Sequence, residues 1–408
     1  MYNALASALM PKERIESISI QELSLHLCAQ NSYRTACGFL NTAFHRSGED
    51  SFKLRTLADG ADSAGRRISR MLDAHCSDTL EKNGFDSMAG IPRDTGSIPV
   101  CISAPSCAGE DPSADKTALF RETISRYNSD RDETCQIKNE TLINTVEQDP
   151  SNCVYVSIDD VGVKHQKDSR KGNGEKSGKN VENTVIHVQA EEGSYVLTAI
   201  GMGNAFKLLL AFLFDNRLLE NRHLYFFSDG ASNIRKGIET YFSFCPSVHM
   251  LDWYHLEKRM TELLSMALKG KKDDRHEIRY VLDGMLWAGN VDDAIKYLST
   301  MDKNHVKNGS RLQEAIDYLE RKRPYICCYA LRGILGYRNS SNPAEKANDI
   351  IVAARQKHNG MSWSYSGSHA LAVITASVRN NEIHNWILNG QMRFSFRPVQ
   401  DSEDLCAA

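Results

Sequence analysis

Val154-Tyr-Val-Ser-Ile-Asp-Asp160 reads as a buried strand that ends in acidic residues. A second stretch of the same kind, Leu224-Tyr-Phe-Phe-Ser-Asp229, occurs further along the chain. Short apolar runs rich in β-branched and aromatic residues are typical of strands inside a sheet. If these two strands are neighbours, their carboxylates lie side by side at one edge of the sheet. Such a pair is suited to binding a divalent cation, which favours phosphate chemistry.

The region around the two stretches predicts an α/β unit. Three strands joined by hairpin-type connections come first and are followed by alternating helices and strands. The predicted strands are 154–163, 184–189, 195–200, 224–228 and 248–252, and the predicted helices are 204–219 and 231–242. A meander joined to strand–helix–strand crossovers predicts a mixed five-stranded sheet with helices on both faces. In that order the first and fourth strands are neighbours.

The rest of the chain is predicted to be mostly helical. Residues 1–86 form a helical N-terminal region, and 87–150 form a partly ordered linker because Pro, Gly, Ser and Asp are frequent there. The sheet unit occupies 151–253, a helical insertion 254–335, the C-terminal part of the sheet unit 336–388, and a tail 389–408. Further helices are predicted at 116–127, 254–268, 273–287, 291–301, 309–321, 324–333, 344–357 and 369–386.

Composition predicts a soluble protein. The 408 residues have a formal net charge of −3 and a hydrophobic fraction of 41%, which is ordinary for a globular chain. The eleven cysteines form no CxxC pair, so we expect reduced thiols in a cytoplasmic protein. The N-terminus lacks the pattern of a signal peptide, and no apolar run is long enough to span a bilayer. No membrane partner is therefore expected.

Four acidic residues and one histidine need a choice between roles. Strand alternation places Asp159 and Asp160 on opposite faces, and we favour Asp159 as the metal ligand. Asp229 precedes Gly230, so turn chemistry explains it as well as metal binding does. Asp252 and His255, after the fifth strand, are secondary candidates together with Asp160. An N-cap and a first-turn residue are the alternative roles for Asp252 and His255.

Four segments resemble the DDE-type transposases of bacterial insertion sequences, in the broad group related to Mutator-like elements. They are Val156–Asp159, Phe227–Ala231, Leu251–Leu256 and Arg355–Ser364, the last with a distinctive Gly-Met-x-Trp-Ser. Together they cover roughly residues 150–385. The resemblance implies a ribonuclease H-like core interrupted by a large all-helical insertion.

The same resemblance implies a catalytic and metal-binding triad of Asp159, Asp229 and Glu345, with two Mg²⁺ or Mn²⁺ ions. The residues before Glu345 depart from the Gly-rich turn that related sequences often have, so Glu257 and Glu320 remain alternatives. The implied function is a transposase that cleaves DNA at the ends of its mobile element and joins it to target DNA. It would act as a homodimer or higher oligomer on DNA and use no small-molecule substrate. The alternatives are an inactive or domesticated DNA-binding protein and a metal-dependent nuclease of the same fold.

Candidate DNA contacts fall in three places. The first is a Gly-rich basic loop after the first strand, and the second is the segment that follows Glu345. The third is the N-terminal region, where two short helices joined at Gly65 predict a helix-turn-helix. The residues are Lys164, Lys167, Arg170, Lys171, Lys176 and Lys179; then Arg355, Lys357 and Trp363; then Arg66, Arg67 and Arg70. The alternative for the basic loop is a solvated loop without a DNA contact. The alternative for Trp363 is a core position, and the alternative for the N-terminal region is a plain helical bundle.

Overall fold

The structure, a computed structural model, describes residues 18–93, 114–138, 152–166, 180–270, 272–357 and 361–396, without the side chains of 114–120, 272 and 274. Within these ranges the chain is an α/β protein with one five-stranded mixed sheet and many helices. None of the helices described is both long and apolar enough to cross a membrane. No disulfide is found among the described cysteines.

The sheet follows the predicted order of strands. Its members are β1 (Cys153–Lys164), β2 (Asn180–Ala190), β3 (Gly193–Ile200), β4 (His223–Ser228) and β5 (Ser247–Leu251). They are arranged β3-β2-β1-β4-β5, so β1 is central. β1 is antiparallel to β2 and parallel to β4, and β5 is parallel to β4. The prediction of a mixed sheet in which the first and fourth strands are neighbours is confirmed.

The helices fall into four groups along the chain. The first group is α1 (Ile18–Gln30), α2 (Tyr33–Ala43), α3 (Leu54–Lys82) and α4 (Ala114–Asn128). The crossover helices are α5 (Met202–Asp215) and α6 (Ser232–Tyr241). The helical block is α7 (Trp253–Ala267), α8 (Lys272–Trp287), α9 (Val291–Ser299), α10 (Gly309–Lys322) and α11 (Tyr329–Ile334). The C-terminal helices are α12 (Asn342–Asn348, continued by a π-helical segment Asp349–Ala353 and by Ala354–Gln356), α13 (Tyr365–Arg379) and α14 (Ile383–Asn389).

The two faces of the sheet are covered differently. On the first face, Val154, Val156 and Ile158 of β1 pack in one cluster with α5 and α6. On the second face, the opposite side chains of β1 divide between two clusters. Cys153 belongs to a cluster with the helical block, whereas Val163 belongs to a cluster with α12 and α13. The second face therefore has a seam between two apolar clusters, and it crosses β1 between these residues.

The N-terminal helices share a core with the C-terminal ones. Leu25 of α1 and Ile68 of α3 are buried in the same cluster as Ile374 and Trp386. The prediction of two short helices joined at Gly65 is wrong, because α3 continues through this residue. A Cβ at Gly65 would lie 2.3 Å from the carbonyl oxygen of Ala370, so the glycine allows close packing of two helices. The domain boundaries stay predictions.

The C-terminal end differs from its prediction in two ways. The helix predicted over 369–386 is two helices, because Asn381 has a left-handed backbone conformation, with φ of 58°, between α13 and α14. Phe394, in the segment predicted as a tail, is buried against Phe212 and Tyr195. At least this part of the predicted tail belongs to the core.

Candidate active site

Asp159 and Asp229 are placed at the same level of two neighbouring parallel strands. The register pairs Ser157 of β1 with Phe227 of β4, and each acid lies two positions further along its strand direction. β1 continues beyond Asp159, whereas β4 ends at Ser228 and the chain turns at Gly230, where φ is 77°. The two carboxylates therefore belong to one edge of the sheet.

Asp229 also makes the turn contact that its alternative role predicts. Its Oδ1 accepts a hydrogen bond from the backbone N of Ala231 at 2.7 Å. A carboxylate has two oxygens with several acceptor positions, so this bond leaves acceptor capacity for a cation. The turn role and the metal role are thus compatible.

Asp159 lies in the seam of the second face and has two hydrogen-bond donors. The side-chain Nδ2 of Asn348 donates to Oδ2 at 2.6 Å, and the backbone N of Asp160 donates to Oδ1 at 2.9 Å. Burial, and then the negative charge of Asp229, raise the pKa of Asp159 to about 6. Two carboxylates close enough to influence each other in a desolvated position are the arrangement that a divalent cation relieves.

Asp160 points to the first face, as strand alternation predicts. Its Oδ1 accepts from the Thr184 hydroxyl at 2.6 Å, and its Oδ2 accepts from Asn233 Nδ2 at 2.8 Å. Both oxygens are engaged by side chains of β2 and α6. Asp160 therefore lies on the opposite face of the sheet from Asp159.

A chain of contacts joins the end of β5 to the start of α12. Buried Asp252 caps α7 by accepting from the backbone N of His255 at 3.1 Å, and it also accepts from the Ser341 hydroxyl at 3.0 Å. His255 Nδ1 lies 3.4 Å from Asp252 Oδ1, and its Nε2 lies 3.5 Å from Glu345 Oε1. Asp252 holds the pKa of His255 above its ordinary value, and the charges of Asp229 and Glu345 raise it further.

Glu345 therefore lies beside His255, whose pKa the charge of Asp229 also raises. It lies in the first turn of α12, one helical turn before the Asn348 that contacts Asp159. The alternative Glu257 forms an ion pair with Arg279 inside the helical block, and Glu320 is exposed on α10. Neither has a described contact with the residues around Asp159.

Lys322 is a site residue that the sequence analysis missed. It lies at the end of α10, and its Nζ donates to the carbonyl oxygen of Gly230, next to Asp229. Burial lowers the pKa of Lys322. The helical block thus contacts the turn that carries the second acid. No signal in the sequence links the two positions, since the contact depends on how α10 folds back onto the sheet.

The candidate DNA contacts of the first two groups have mixed positions. Lys164 and Lys357 are exposed, but Arg355 is buried, donates to the carbonyl oxygen of Cys28 at 3.0 Å and lies over the Tyr33 ring. A DNA-contacting role for Arg355 is not compatible with that position, where it joins α12 to α1 and α2. Trp363 is half-buried, and its ring nitrogen donates to the carbonyl oxygen of Gln356 at 3.2 Å. Candidates outside the described residues are Lys167, Arg170, Lys171, Lys176 and Lys179.

The N-terminal arginines lie on the surface of α3 and have partners within the chain. Arg66 pairs with Asp62 at 2.6 Å, and the Arg70 Nε donates to the Arg66 carbonyl oxygen. The guanidinium of Arg67 lies over the Trp386 ring. Because α3 is a continuous helix here, these residues are not presented by a helix-turn-helix.

The side chains at this edge fit a Mg²⁺ or Mn²⁺ ion. No group of three or more His, Cys, Asp and Glu side chains is arranged as a metal site in the described residues. Mg²⁺ commonly binds through one or two carboxylates, with water and substrate phosphates as its remaining ligands, so a closed protein cage is not required. Asp159 and Asp229 supply such a pair, and the buried Oδ1 of Asn348 has no hydrogen-bond partner there.

Comparisons with known proteins give little. No family model matches the chain, and no curated protein matches it. A solved structure that is similar, the Drosophila P element transposase strand transfer complex, is 8% identical; the match covers 95% of this chain and 85% of that one, with a TM-score of 0.27. At that TM-score the likeness supports no statement about this chain.

Proposed function

We propose that the protein is a metal-dependent DNA transposase with a ribonuclease H-like core and a helical insertion. The observation that carries the proposal is the position of Asp159 and Asp229 at the same level of neighbouring parallel strands, with Glu345 beside His255. The three acids belong to segments that are far apart in the chain. The helical block lies between the second and third of these acids, as the resemblance of the sequence to DDE-type transposases implies.

Each acid is held in a way that suits a metal-dependent phosphodiester reaction. Asp159 is oriented by Asn348 and by the backbone N of Asp160, and Asp229 is oriented by the turn at Gly230. Glu345 is on a separate helix and contacts His255, which Asp252 holds in turn. Bound divalent ions would lower the pKa of an attacking water or 3′ hydroxyl and stabilise the leaving oxygen.

The proposed substrates are the DNA ends of the mobile element and a target DNA. Lys164 is exposed and follows Asp159 on the same strand. Lys357 is exposed and follows the helical segment that carries Glu345. Cations in such positions would neutralise backbone phosphates and make binding dependent on salt. A homodimer or higher oligomer on DNA belongs to the same proposal.

The test is cleavage and joining by the purified protein. The DNA carries the sequences that flank the gene, with Mg²⁺ or Mn²⁺ present. Asp229→Ala should abolish both cleavage and joining while binding to the DNA ends is retained, because it removes a proposed metal ligand and leaves the exposed cations Lys164 and Lys357 in place. Glu191→Ala, at the exposed turn between β2 and β3, is the control and should retain activity.

Other outcomes point to other functions. Cleavage without joining would favour a metal-dependent nuclease of the same fold. End binding without cleavage by the unmodified protein would favour a domesticated DNA-binding protein. Joining by the Asp229→Ala variant would contradict the assignment of the acids.

A further inference from the structure

We propose that Asn348 is a fourth metal-site residue, whose side-chain oxygen binds the divalent cation held by Asp159. The inference rests on the proposed function, since it adds a ligand to the same site. Asn348 is three residues after Glu345 on α12, so the two side chains lie on neighbouring positions of one helix face. The resemblance to known transposases implies no role for this residue.

The position of Asn348 in α12 is one that normally holds an apolar residue. Its buried neighbours on the same helix are Ala344, Ala347, Ile351 and Val352, and this spacing is that of a core-facing stripe. Asn348 is only 5% exposed, although it carries a primary amide. A buried polar side chain within an apolar stripe needs partners for both ends of its amide.

Only one end of this amide has a partner in the described structure. Nδ2 donates to Asp159 Oδ2 at 2.6 Å, whereas Oδ1 is buried and accepts no hydrogen bond from any described group. An ionised carboxylate cannot donate, so the amide must present its NH₂ group to Asp159, and its oxygen is left for an electropositive partner. A buried oxygen without a donor costs about 1–3 kcal/mol, and a bound cation would offset that cost.

A divalent cation is the partner that this oxygen lacks. Mg²⁺, Mn²⁺ and Ca²⁺ take carboxylate and amide oxygens together. The π-helical segment begins at Asp349, directly after Asn348, and single π turns are frequently found at functional sites. The change from α-helical to π-helical spacing directly after Asn348 is consistent with a cation-binding role for its side chain.

The experiment measures Mn²⁺ binding to the full-length protein without DNA. Electron paramagnetic resonance gives the affinity, and electron–nuclear double resonance gives the number of water molecules on the bound ion. Asn348→Leu removes both ends of the amide at similar volume, and Asn348→Asp keeps an oxygen ligand. Asp159→Ala tests the proposed site itself. Asn342→Ala, at the exposed start of the same helix, is the matched control.

A liganding role predicts a specific set of results. Asn348→Leu weakens Mn²⁺ binding by at least about tenfold, which is the lower end of the effect typical of residues that support metal ligands, and adds one water to the bound ion. Asn348→Asp binds at least as tightly as the unmodified protein, with the unmodified number of waters. Asn342→Ala changes neither quantity, and Asp159→Ala abolishes binding.

Two contrary results have different meanings. If binding depends on Asp159 while Asn348→Leu keeps the original affinity and water number, Asn348 is not a ligand and the proposed function stands. If the unmodified protein binds no Mn²⁺, or if Asp159→Ala binds it unchanged, both the proposed function and this inference are wrong. The Asn348→Asp variant decides the matter if Asn348→Leu fails to fold.

Discussion

The two faces of the central sheet differ in how completely they are covered, and β1 carries one acid on each. On the first face, the apolar side chains of β1 belong to one continuous cluster with α5 and α6. On the second face, they divide between the helical block and the α12–α13 pair. Asp160 lies at the margin of the first face and Asp159 in the seam of the second.

This difference shows how a fold can give adjacent residues opposite roles. Asp160 has both oxygens bound by neutral side chains, Thr184 and Asn233, so its environment is complete without a ligand. Asp159 is close to a second carboxylate and to an amide oxygen without a donor. The boundary between two separate apolar clusters leaves room for polar side chains, because neither cluster covers that part of the sheet completely.

The largest expected effect comes from exchanging these two acids for their amides. Asp159→Asn should reduce the rate of DNA cleavage by more than about 100-fold, since loss of a direct ligand should exceed the 10- to 100-fold effect typical of residues that support ligands. Asp160→Asn should reduce it by less than about tenfold, because Thr184 and Asn233 can still bond an amide. Single-turnover cleavage at saturating Mg²⁺ measures both rates. An equal loss in the two variants would remove the distinction between the faces.

The second prediction concerns the turn after β4, at the margin of the seam. Gly230 has a φ of 77°, and an added Cβ would lie 2.7 Å from Leu251 Cδ1. Gly201, with a φ of 86°, has open space around the same position and is the matched control. Gly201→Ala should therefore lower the free energy of unfolding by about 1–2 kcal/mol, through backbone strain alone.

Gly230→Ala should cost more, because it adds crowding to the same strain. Overpacking typically adds about 1–3 kcal/mol. Urea denaturation of both variants gives the comparison. Equal destabilisation would mean that Leu251 and Lys322 move aside easily, and the turn that carries Asp229 would then be less fixed than the structure indicates.

The smallest effect concerns the first face, where α3 contacts the end of α5. His75 Nε2 lies 2.6 Å from Asp215 Oδ2, and this hydrogen bond raises the pKa of His75. A raised histidine pKa stabilises the folded protein below the ordinary pKa of about 6.5. That contribution is lost as pH rises through the raised value.

The measurement is the melting temperature of the protein and of His75→Gln across this pH range. The difference between them should be largest at acidic pH and should shrink toward alkaline pH. It should correspond to less than about 1 kcal/mol, since the pair is partly exposed and screened by solvent. A difference that grows with pH would mean that His75 is uncharged in the folded protein.

The fold was largely predictable from the sequence because its elements follow clear periodicities. Apolar runs such as Leu224–Ser228 predict strands, and a parallel crossover makes β1 and β4 neighbours. Gly65 was misinterpreted because a glycine that breaks a helix and one that admits a neighbouring helix look the same in a sequence. Their difference depends on Ala370, which is distant in the chain.

The candidate site was predictable where local pattern decides it. Strand alternation separates Asp159 from Asp160, and Asp252 precedes a helix that it caps. The contacts of Asn348 and Lys322 depend on how α12 and α10 fold back onto the sheet, which no local pattern expresses. Arg355 was assigned to DNA because charge suggests exposure, yet its guanidinium is buried against α1 and α2.

The most direct test of the central claim is a crystal structure of the protein with Mn²⁺ and a DNA end. Anomalous scattering locates the ions without assumptions about their ligands. Mn²⁺ should be bound by the carboxylates of Asp159 and Asp229, with Glu345 coordinating a bound ion. Mn²⁺ bound at another place, or Asp159 and Asp229 without any ion between them, would contradict this claim.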